Sequence, residues 1–247
     1  MQNALLVGLS RQMALGRELD VIANNMANVT TNGFKARSSR FASFLMDGAS
    51  ADSFKPNDRR LDYVIDRGTA LDTGEGAIEI TRNPLDVAIK GDGFFVVQTP
   101  AGERYTRNGA FTLDSRGRLV TSDGHAVAGD NGPITFDQTE TDISIAPDGT
   151  VASRQSQHGK IRVVRFADSR AMTNDGGNTF SSTTPAQPAG ASSKLESGAV
   201  ERSNVRPVLE MTRLIEVNRA YANVAGMIGR MDELKRTAVS RLAEVTN

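Results

Sequence analysis

The sequence predicts an α+β fold, with long N- and C-terminal helices packed as a coiled-coil-like domain, a central all-β domain of short antiparallel strands, and an extended connecting segment. Apolar residues recur every three or four positions at both ends of the chain, short apolar runs between turn residues fill the middle, and the stretch 36–76 has neither period. The predicted boundaries are 1–32 for the N-terminal helix, 33–75 for the connecting segment, 76–203 for the β domain and 204–247 for the C-terminal helix.

The N-terminal helix is predicted from one narrow apolar seam whose members alternate between four-residue and three-residue spacing. A stripe of this kind either packs on a globular body or faces other helices. Because it is narrow and the middle of the chain predicts strands, we expect the terminal helices to pack on each other and on copies of the chain. The seam, interrupted by one polar residue, consists of Leu5, Leu9, Gln12, Gly16, Leu19, Ala23 and Met26.

Three asparagines near the end of this helix, Asn24, Asn25 and Asn28, form a second, polar face. Asparagine weakens an isolated helix by roughly 0.5 kcal/mol relative to alanine. A buried amide without a partner costs about 1 to 3 kcal/mol, so these residues would penalise a wrong alignment between packed helices. One hypothesis is that they set the axial register between neighbouring subunits; the alternative is that they solvate the helix end or begin the turn.

The exit from the helix is predicted at residues 29–34. Three β-branched residues, 29–31, weaken the helix, and Asn32 with Gly33 can supply a left-handed exit. Phe34 is then expected to anchor the departing chain, and Gly33 is the residue least expected to tolerate alanine. Residues 36–76 follow as an extended or partly ordered segment whose isolated apolar pieces fit either contact points or local strands.

The middle of the chain predicts short strands separated by turns about every ten residues. Three Asp-Gly or Arg-Gly turns predict hairpins, in "DSRGRL", "TSDGHA" and "APDGTV". Pro84 is expected to start a strand, and 174–193, rich in Gly, Ser, Thr, Asn and Pro, predicts a loop or mobile return path. The strand runs are "AIEI", "LDVAI", "FFVVQ", "RLVT", "HAVAG", "ISIA" and "KIRVVRF".

The C-terminal helix carries a longer seam of the same spacing, interrupted only by Lys235. A seam of this length predicts a helix with a partner along its whole face. Its members are Leu214, Val217, Tyr221, Val224, Ile228, Met231, Lys235, Ala238, Leu242 and Val245.

Composition excludes several classes of function. The 29 basic and 29 acidic residues balance, which argues against nucleic acid or an acidic membrane as a partner. The absence of cysteine excludes disulfides and thiolate metal sites. The sequence contains no stretch of 18 apolar residues, so it predicts no membrane span. Its first residues lack the features of a cleavable signal peptide.

No motif predicts catalysis, a cofactor or a metal. His125 and His158 read as solvated loop histidines without a second ligand at metal-binding spacing. "GDGFFV" lacks the third glycine of a dinucleotide-binding turn. A hydrolase using Asp86 and Asp92 is the enzymatic alternative, but both positions have a structural explanation in strands and turns. We therefore expect no enzyme, no small-molecule substrate and no cofactor.

Three stretches resemble the bacterial flagellar rod and hook family. "LDVIANNMANVTTNGFKA" at 19–36 is similar to its N-terminal signature, and 68–129, with "GDGFFVV" and "YTRNGAF", is similar to its central region. "ERSNVRPVLEMTRLIEVNRAYANV" at 201–224 is similar to its C-terminal segment. One departure is Arg82, where the resemblance predicts a glycine.

The resemblance implies a structural subunit of the bacterial flagellar basal body. The length and wording favour the proximal rod, with the distal rod as the alternative. It further implies helical assembly of the terminal helices into a torque-transmitting shaft, contacts with copies and other rod proteins, and type III export without signal cleavage to the periplasmic rod. A β-rich secreted binding module with a helical oligomerisation stalk is the competing interpretation. The expected assembly residues are the apolar seam members and the asparagines of the two helices, with the exit residues: Leu5, Leu9, Leu19, Ala23, Asn24, Asn25, Met26, Asn28, Gly33, Phe34, Leu214, Val217, Tyr221, Val224, Ile228 and Met231.

Overall fold

The computed structural model describes residues 2–46, 61–137, 140, 142–169, 172–190 and 193–245. Two helices flank a central β-rich region of short antiparallel strands, which confirms the predicted α+β arrangement. The chain forms two compact units: a helical unit of Met1–Met26, Arg37–Thr69 and Pro207–Asn247, and a β unit of Ala27–Ala36 and Ala70–Arg206. Part of the expected connecting segment, 47–60, lies outside the described residues.

The helical unit contains both long helices. Helix α1 spans Gln2–Ala27 and helix α2 spans Pro207–Val245. Helix α1 ends five residues before the predicted boundary at 32, since the three β-branched residues that follow Asn28 are poor helix formers. Helix α2 begins with a proline. The N–H groups of a first helical turn have no acceptor within the helix, so proline loses no helical hydrogen bond at this position. Neither described helix holds an apolar stretch long enough to span a bilayer.

Strands β1 (Arg37–Met46) and β2 (Leu61–Leu71) pair with each other in a two-stranded sheet. They lie in the stretch that the sequence left undecided between contact points and local strands, and for these residues the second alternative is correct. The apolar side chains at 41–46 and 61–65 lie outside the described residues.

The β unit is built from short strands. Its largest sheet has the order β15-β16-β6-β5-β9-β8-β7, with β14 also pairing with β5. The bounds are β3 Ile78–Ile80, β4 Val87–Lys90, β5 Phe94–Thr99, β6 Gly102–Thr106, β7 Phe111–Leu113, β8 Leu119–Thr121, β9 Ala126–Gly129, β10 Gly132–Pro133, β11 Ser144–Ile145, β12 Thr150–Ala152, β13 Gln157–Lys160, β14 Val163–Arg165, β15 Thr173–Gly176, β16 Thr179–Ser181, β17 Gln187–Pro188, β18 Lys194–Ser197 and β19 Ala199–Glu201.

The predicted strand runs and hairpins are confirmed. Each of the seven apolar runs contains a strand, and the three predicted turns join β7 to β8, β8 to β9, and β11 to β12 in antiparallel pairs. Aspartate and glycine at these turns supply the side-chain hydrogen bonds and backbone freedom that a tight reversal needs. Turn chemistry therefore located the hairpins correctly from local sequence.

Two local predictions are wrong. Pro84 lies in a turn, and the strand begins three residues later at Val87. The stretch 174–193 is not simply a loop, because most of β15, all of β16 and β17 lie within it. Phe180 is the reason: it is buried, pairs with Tyr105 of β6 and packs edge-on against Phe94 at 5.9 Å between ring centroids.

Strand β5 lies between two hydrophobic clusters. Phe95 belongs to one cluster, together with Phe111, while Phe94 and Val96 belong to the other. Successive side chains of a strand point to opposite faces, so β5 supplies both clusters in alternation. This two-sided burial explains why "FFVV" is a continuous apolar run and not an alternating one.

Candidate functional site

The seam predicted on α2 matches the less exposed face of that helix. From Leu214 to Lys235 every seam member is buried or half-buried, and Val217 is the most buried at 8% exposure. Glu210 extends the same face one step towards the N-terminus. The face includes Tyr221, Val224, Ile228 and Met231. Ala238 is exposed, and the side chains of Leu242 and Val245 lie outside the described residues.

On α1 five of the seven predicted members are half-buried, namely Leu5, Gln12, Gly16, Leu19 and Met26. Leu9 and Ala23 are exposed. From Leu5, a spacing that alternates between three and four residues can begin with either step. The residues that face α2 follow the alternative that begins with a step of three. The inward face is therefore Leu5, Gly8, Gln12, Leu15, Leu19, Ile22 and Met26, all buried or half-buried.

The two helices contact each other in antiparallel order. A Cβ placed on Gly8 would lie 3.3 Å from Ile228 Cγ1, and one placed on Gly16 would lie 3.9 Å from the Tyr221 ring. Gly8 thus permits close approach of the helices, which is the signal for the inward face that the seam analysis missed. Knobs-into-holes packing of these helices stays a prediction.

Large apolar side chains remain exposed on both helices. On α1, Leu6, Leu9 and Met13 are 48%, 45% and 58% exposed. Met227 and Leu234 of α2, near the same end of the antiparallel pair, are 42% and 66% exposed. The first turns of α2 expose a second group: Val208, Leu209, Met211 and Ile215. We call these two groups the apolar patches of the helical unit.

Asn25 is buried within its own chain. Its Nδ2 donates to the carbonyl oxygen of Arg37 at 2.9 Å and to Glu210 Oε2 at 3.3 Å, and its Oδ1 accepts from the Arg37 N–H at 3.0 Å. This amide joins α1, β1 and the first turn of α2. Because these polar atoms of Asn25 form hydrogen bonds within the chain, the hypothesis that asparagines set the register between subunits now concerns Asn24 and Asn28.

The other two asparagines lie in different surroundings. Asn24 is exposed on α1. Asn28 begins the turn after the helix, because its backbone oxygen accepts from the Thr31 N–H and its Oδ1 accepts from the Thr31 hydroxyl. For Asn28 the structure therefore shows the turn that the alternative interpretation proposed, and a register role for either residue stays a prediction.

Gly33 and Phe34 occupy the positions expected of an exit and an anchor. Gly33 has φ 66°, and an added Cβ would lie 2.4 Å from the backbone of Arg107 and Asn108. Phe34 is 4% exposed. The left-handed exit at Gly33 and the anchoring by Phe34 are confirmed.

Lys35, next in sequence, forms a buried ion-pair cluster within the β unit. Its Nζ donates to Glu201 Oε1 at 2.6 Å and to the Gly74 carbonyl at 2.7 Å, with both charged side chains 1% exposed. Arg107 Nε lies 3.1 Å from Glu201 Oε2 without hydrogen-bond alignment. Burial lowers the pKa of Lys35 from its ordinary value, and the charge of Glu201 opposes that shift.

Asn204 and Arg202 extend this cluster. Asn204 Oδ1 accepts from the Ala36 N–H at 2.7 Å, and its Nδ2 donates to the carbonyls of Asp72 and Gly74. Arg202 donates to Asn32 Oδ1 at 3.0 Å. The residues just after α1 and just before α2 are therefore tied together inside the β unit, which sequence reasoning missed because lysine and glutamate are usually solvated.

The residues considered for catalysis do not converge. Asp86 accepts from the Thr81 hydroxyl at 2.6 Å and from Asn83 at 3.1 Å, which is a turn-forming role, whereas Asp92 is exposed. His125 lies in the β8–β9 turn. The described part of the chain contains no group of three or more His, Cys, Asp or Glu placed to hold a metal ion.

The interpretation of His158 as a solvated loop residue is wrong. It lies on β13 with its side chain 14% exposed, and its ring packs against Phe136 at 4.6 Å between centroids with the planes tilted by 48°. Its Nε2 lies 2.8 Å from Glu140 Oε2. The local sequence showed only a glycine next to His158, which indicated a turn. The residues that cover its side chain, Phe136 and Glu140, lie about 20 residues earlier in the chain.

Comparison with known proteins identifies the family. Residues 5–35 match the family "Flagella basal body rod protein", residues 88–153 the "Flagellar hook protein FlgE/F/G D1 domain", and residues 196–241 the "Flagellar basal body rod FlgEFG protein C-terminal". These matches contain the N-terminal seam, the C-terminal seam as far as Ala238, the three asparagines, and Lys35 and Glu201 of the buried cluster.

Relatives cover nearly the whole chain. The flagellar basal-body rod protein FlgF of Caulobacter vibrioides is 41% identical, covering 99% of this chain and 100% of the relative. FlgF of Mesorhizobium japonicum is 35% identical over 98% of both chains, and FlgG of Bacillus subtilis is 34% identical over 97% of this chain and 99% of the relative. The chain therefore belongs to the family of flagellar basal-body rod proteins.

Proposed function

We propose that this chain is a FlgF-like structural subunit of the proximal rod, which assembles through its terminal helices into the helical shaft that transmits torque. Its partners would be copies of itself and other rod proteins, reached by type III export to the periplasm without signal cleavage. The FlgF relatives of 41% and 35% identity over almost the full chain support the FlgF assignment.

The apolar patches carry the assembly proposal. Isolated exposed apolar residues are common, but contiguous apolar groups mark interaction surfaces. Leu6, Leu9 and Met13 follow one another at spacings of three and four on a single face of α1. Burial of such side chains contributes about 1.5 to 3 kcal/mol each when complete, so a neighbouring subunit that covers these patches gains several favourable contacts.

Heterologous contacts suit the proposal geometrically. The patches near the two ends of the helix pair differ in composition: one combines residues of both helices, the other lies on the first turns of α2. When unlike surfaces of successive copies meet and the rotation does not close a ring, a helical filament results. A rod requires that arrangement.

Substitution of Leu9 tests the proposal. Leu9→Asp should leave the circular dichroism of the purified chain unchanged, because the side chain is already 45% exposed, yet it should abolish incorporation into basal bodies and swimming. Arg11→Gln, an exposed change on the same helix that lowers the net charge by the same unit, is the matched control and should assemble normally. Normal incorporation of Leu9→Asp would contradict the assembly proposal.

The FlgG branch is the second candidate, favoured by the 34% identical relative. The two assignments differ in which deletion the gene complements. Restored swimming in a strain that lacks only its FlgF would support the proximal-rod assignment, and rescue of a strain that lacks only its FlgG would replace it with the distal-rod alternative.

A further inference from the structure

The β unit is closed by contacts between segments that lie far apart in sequence. β18 pairs with β4 and β19 pairs with β3, so residues 194–201 lie beside residues 78–90. Lys35 and Glu201, which form the buried ion pair, are 166 residues apart. Contacts of this separation carry a large loop-closure entropy, which must be overcome before they contribute stability.

The other strands pair without these closing segments. β5 pairs with β6, β9 and β14, and the path from β15 to β7 lies between residues 94 and 181. The sheet of β11, β12 and β13 also lies within this interval. Strands β3, β4, β18 and β19 therefore take no part in the backbone pairing of the main sheet.

Burial of Lys35 makes the closing contacts interdependent. Lys35 Nζ has Glu201 as its charged partner, and the Glu201 Oε1 that accepts from it also accepts from the Gly76 N–H at 2.8 Å. Without Glu201, the lysine would leave an uncompensated charge in the interior, which is strongly destabilising. Residues 33–36, 74–76 and 201–204 therefore gain their contacts together or lose them together.

Close backbone packing adds to this interdependence. A Cβ on Gly76 would lie 1.9 Å from the carbonyl oxygen of Arg202, and Gly33 lies against the backbone of Arg107. The Gly33 N–H donates to the Glu201 carbonyl at 2.7 Å, and the Arg202 N–H donates to the Ala77 carbonyl at 2.8 Å. Because these backbones are in close contact, one segment cannot shift without breaking the hydrogen bonds of the others. Residues 33–36, 74–76 and 201–204 are therefore expected to open together.

We infer that residues 27–36, 70–90 and 194–206 form a latch that opens and closes as one cooperative piece on the main sheet, with the Lys35–Glu201 contact holding it closed. Residues 27–36 follow α1 and residues 202–206 precede α2. The latch thus decides whether the two chain segments that lead into the helices are held side by side. This inference concerns the single chain and does not depend on the proposed function.

Native-state hydrogen exchange of the full-length wild-type protein at low urea tests the latch. Amides of Gly33, Thr81 and Arg202, which donate to latch carbonyls, should share one opening equilibrium constant. That constant should exceed by at least about tenfold the one shared by Val96 and Arg162, which donate within the sheet. One common constant for both groups would overturn the inference, and this measurement needs no variant.

Glu201→Gln tests the contact that holds the latch closed. The substitution preserves size but removes the charge that compensates Lys35, so the opening constant at Gly33, Thr81 and Arg202 should rise about a hundredfold. Exchange at Val96 and Arg162 should remain unchanged. An equal rise at both groups, or no rise at the latch, contradicts the inference; if the variant does not fold, the wild-type measurement decides.

Glu79→Gln is the matched control for that substitution. Glu79 is the exposed partner of Arg202, at 2.6 Å, in the same strand pair as Glu201. Loss of an exposed ion pair should change the latch opening constant by less than about fivefold. An effect of Glu79→Gln as large as that of Glu201→Gln would show that no special role belongs to the buried contact.

Discussion

The β unit and the helical unit use their side chains in opposite ways. The β unit buries apolar residues in two clusters and even encloses a lysine, a glutamate and an arginine in its interior. The helical unit leaves leucines, methionines, a valine and an isoleucine exposed along both helices. The comparison teaches that the β unit buries most of its large apolar side chains within the chain, whereas the helical unit retains a larger apolar surface that a neighbouring molecule can cover.

The largest expected effect comes from Gly33→Ala in the β unit. The added methyl group would meet the backbone of Arg107 and Asn108 at 2.4 Å, at a φ of 66°. We expect the free energy of unfolding to fall by about 3 kcal/mol or more, from overpacking and left-handed strain together. Urea unfolding followed by circular dichroism measures it.

Gly124→Ala separates the two causes. Gly124 also has positive φ, at 82°, but an added Cβ would meet no atom within 4 Å. Its loss should be only about 1 kcal/mol, the strain contribution alone. Equal losses for Gly124→Ala and Gly33→Ala would show that the close packing around residue 33 adds nothing to stability.

Asn25→Ala sharpens the comparison, since it removes a buried polar connection from the helical unit. The Arg37 N–H and Glu210 Oε2 would each lose a partner, and we expect a loss of about 1 to 3 kcal/mol. Asn24→Ala, at an exposed position of the same helix, should lower the free energy of unfolding by less than Asn25→Ala does. Thermal unfolding of the two variants side by side distinguishes them; similar shifts would refute the distinct role of Asn25.

Arg82→Gly should stabilise the β unit. Arg82 has φ 64°, a conformation that costs a non-glycine residue about 1 to 2 kcal/mol, and glycine returns part of that gain through its greater freedom in the unfolded chain. A net gain of about 0.5 kcal/mol is expected in urea unfolding. Arg116→Gly, in the β7–β8 turn, lacks positive φ and should instead lose stability; a gain in both variants would disprove the strain argument.

The smallest effect concerns acid stability at the β7–β8 turn. The Arg118 N–H, donating at 2.9 Å, is the main cause that lowers the pKa of Asp114. Because this folded-state pKa is depressed, the contribution is present above the unfolded-state value and is lost as pH falls through the folded-state value. Asp114→Asn should therefore flatten the fall in stability at acidic pH, measured by urea unfolding from pH 6 downwards to about pH 3. An unchanged slope would contradict this assignment.

Elements set by local chemistry were predictable from the sequence. Helix periods, alternating or continuous apolar runs, and Asp-Gly turns located both helices and the predicted hairpins. Arg82 also stood out as a departure from the expected glycine, and the structure gives that position a positive φ.

Features that depend on distant partners were not predictable. Lys35 is buried because Glu201 reaches it from the other end of the β unit, and no local pattern announces that contact. Phe180 pairs with Tyr105 from within a stretch whose composition resembles a loop. The inward face of α1 was predicted in part: Leu9 and Ala23 are exposed, and Gly8, Leu15 and Ile22 take inward positions that the seam omitted. A three-four repeat that begins at Leu5 fits two faces, and the contact between Gly8 and Ile228 of α2 distinguishes them.

The double-sided burial of β5 limits where the length of this chain can vary. Deleting Phe94 would move Phe95 into its place and turn every following side chain of the strand towards the opposite cluster. Side chains that fit one cluster would leave cavities or cause steric clashes in the other. Insertions and deletions are therefore expected to be tolerated at the exposed turns of the β unit and not along Phe94–Thr99. The length of this strand sets the alignment of the strands that pair with it.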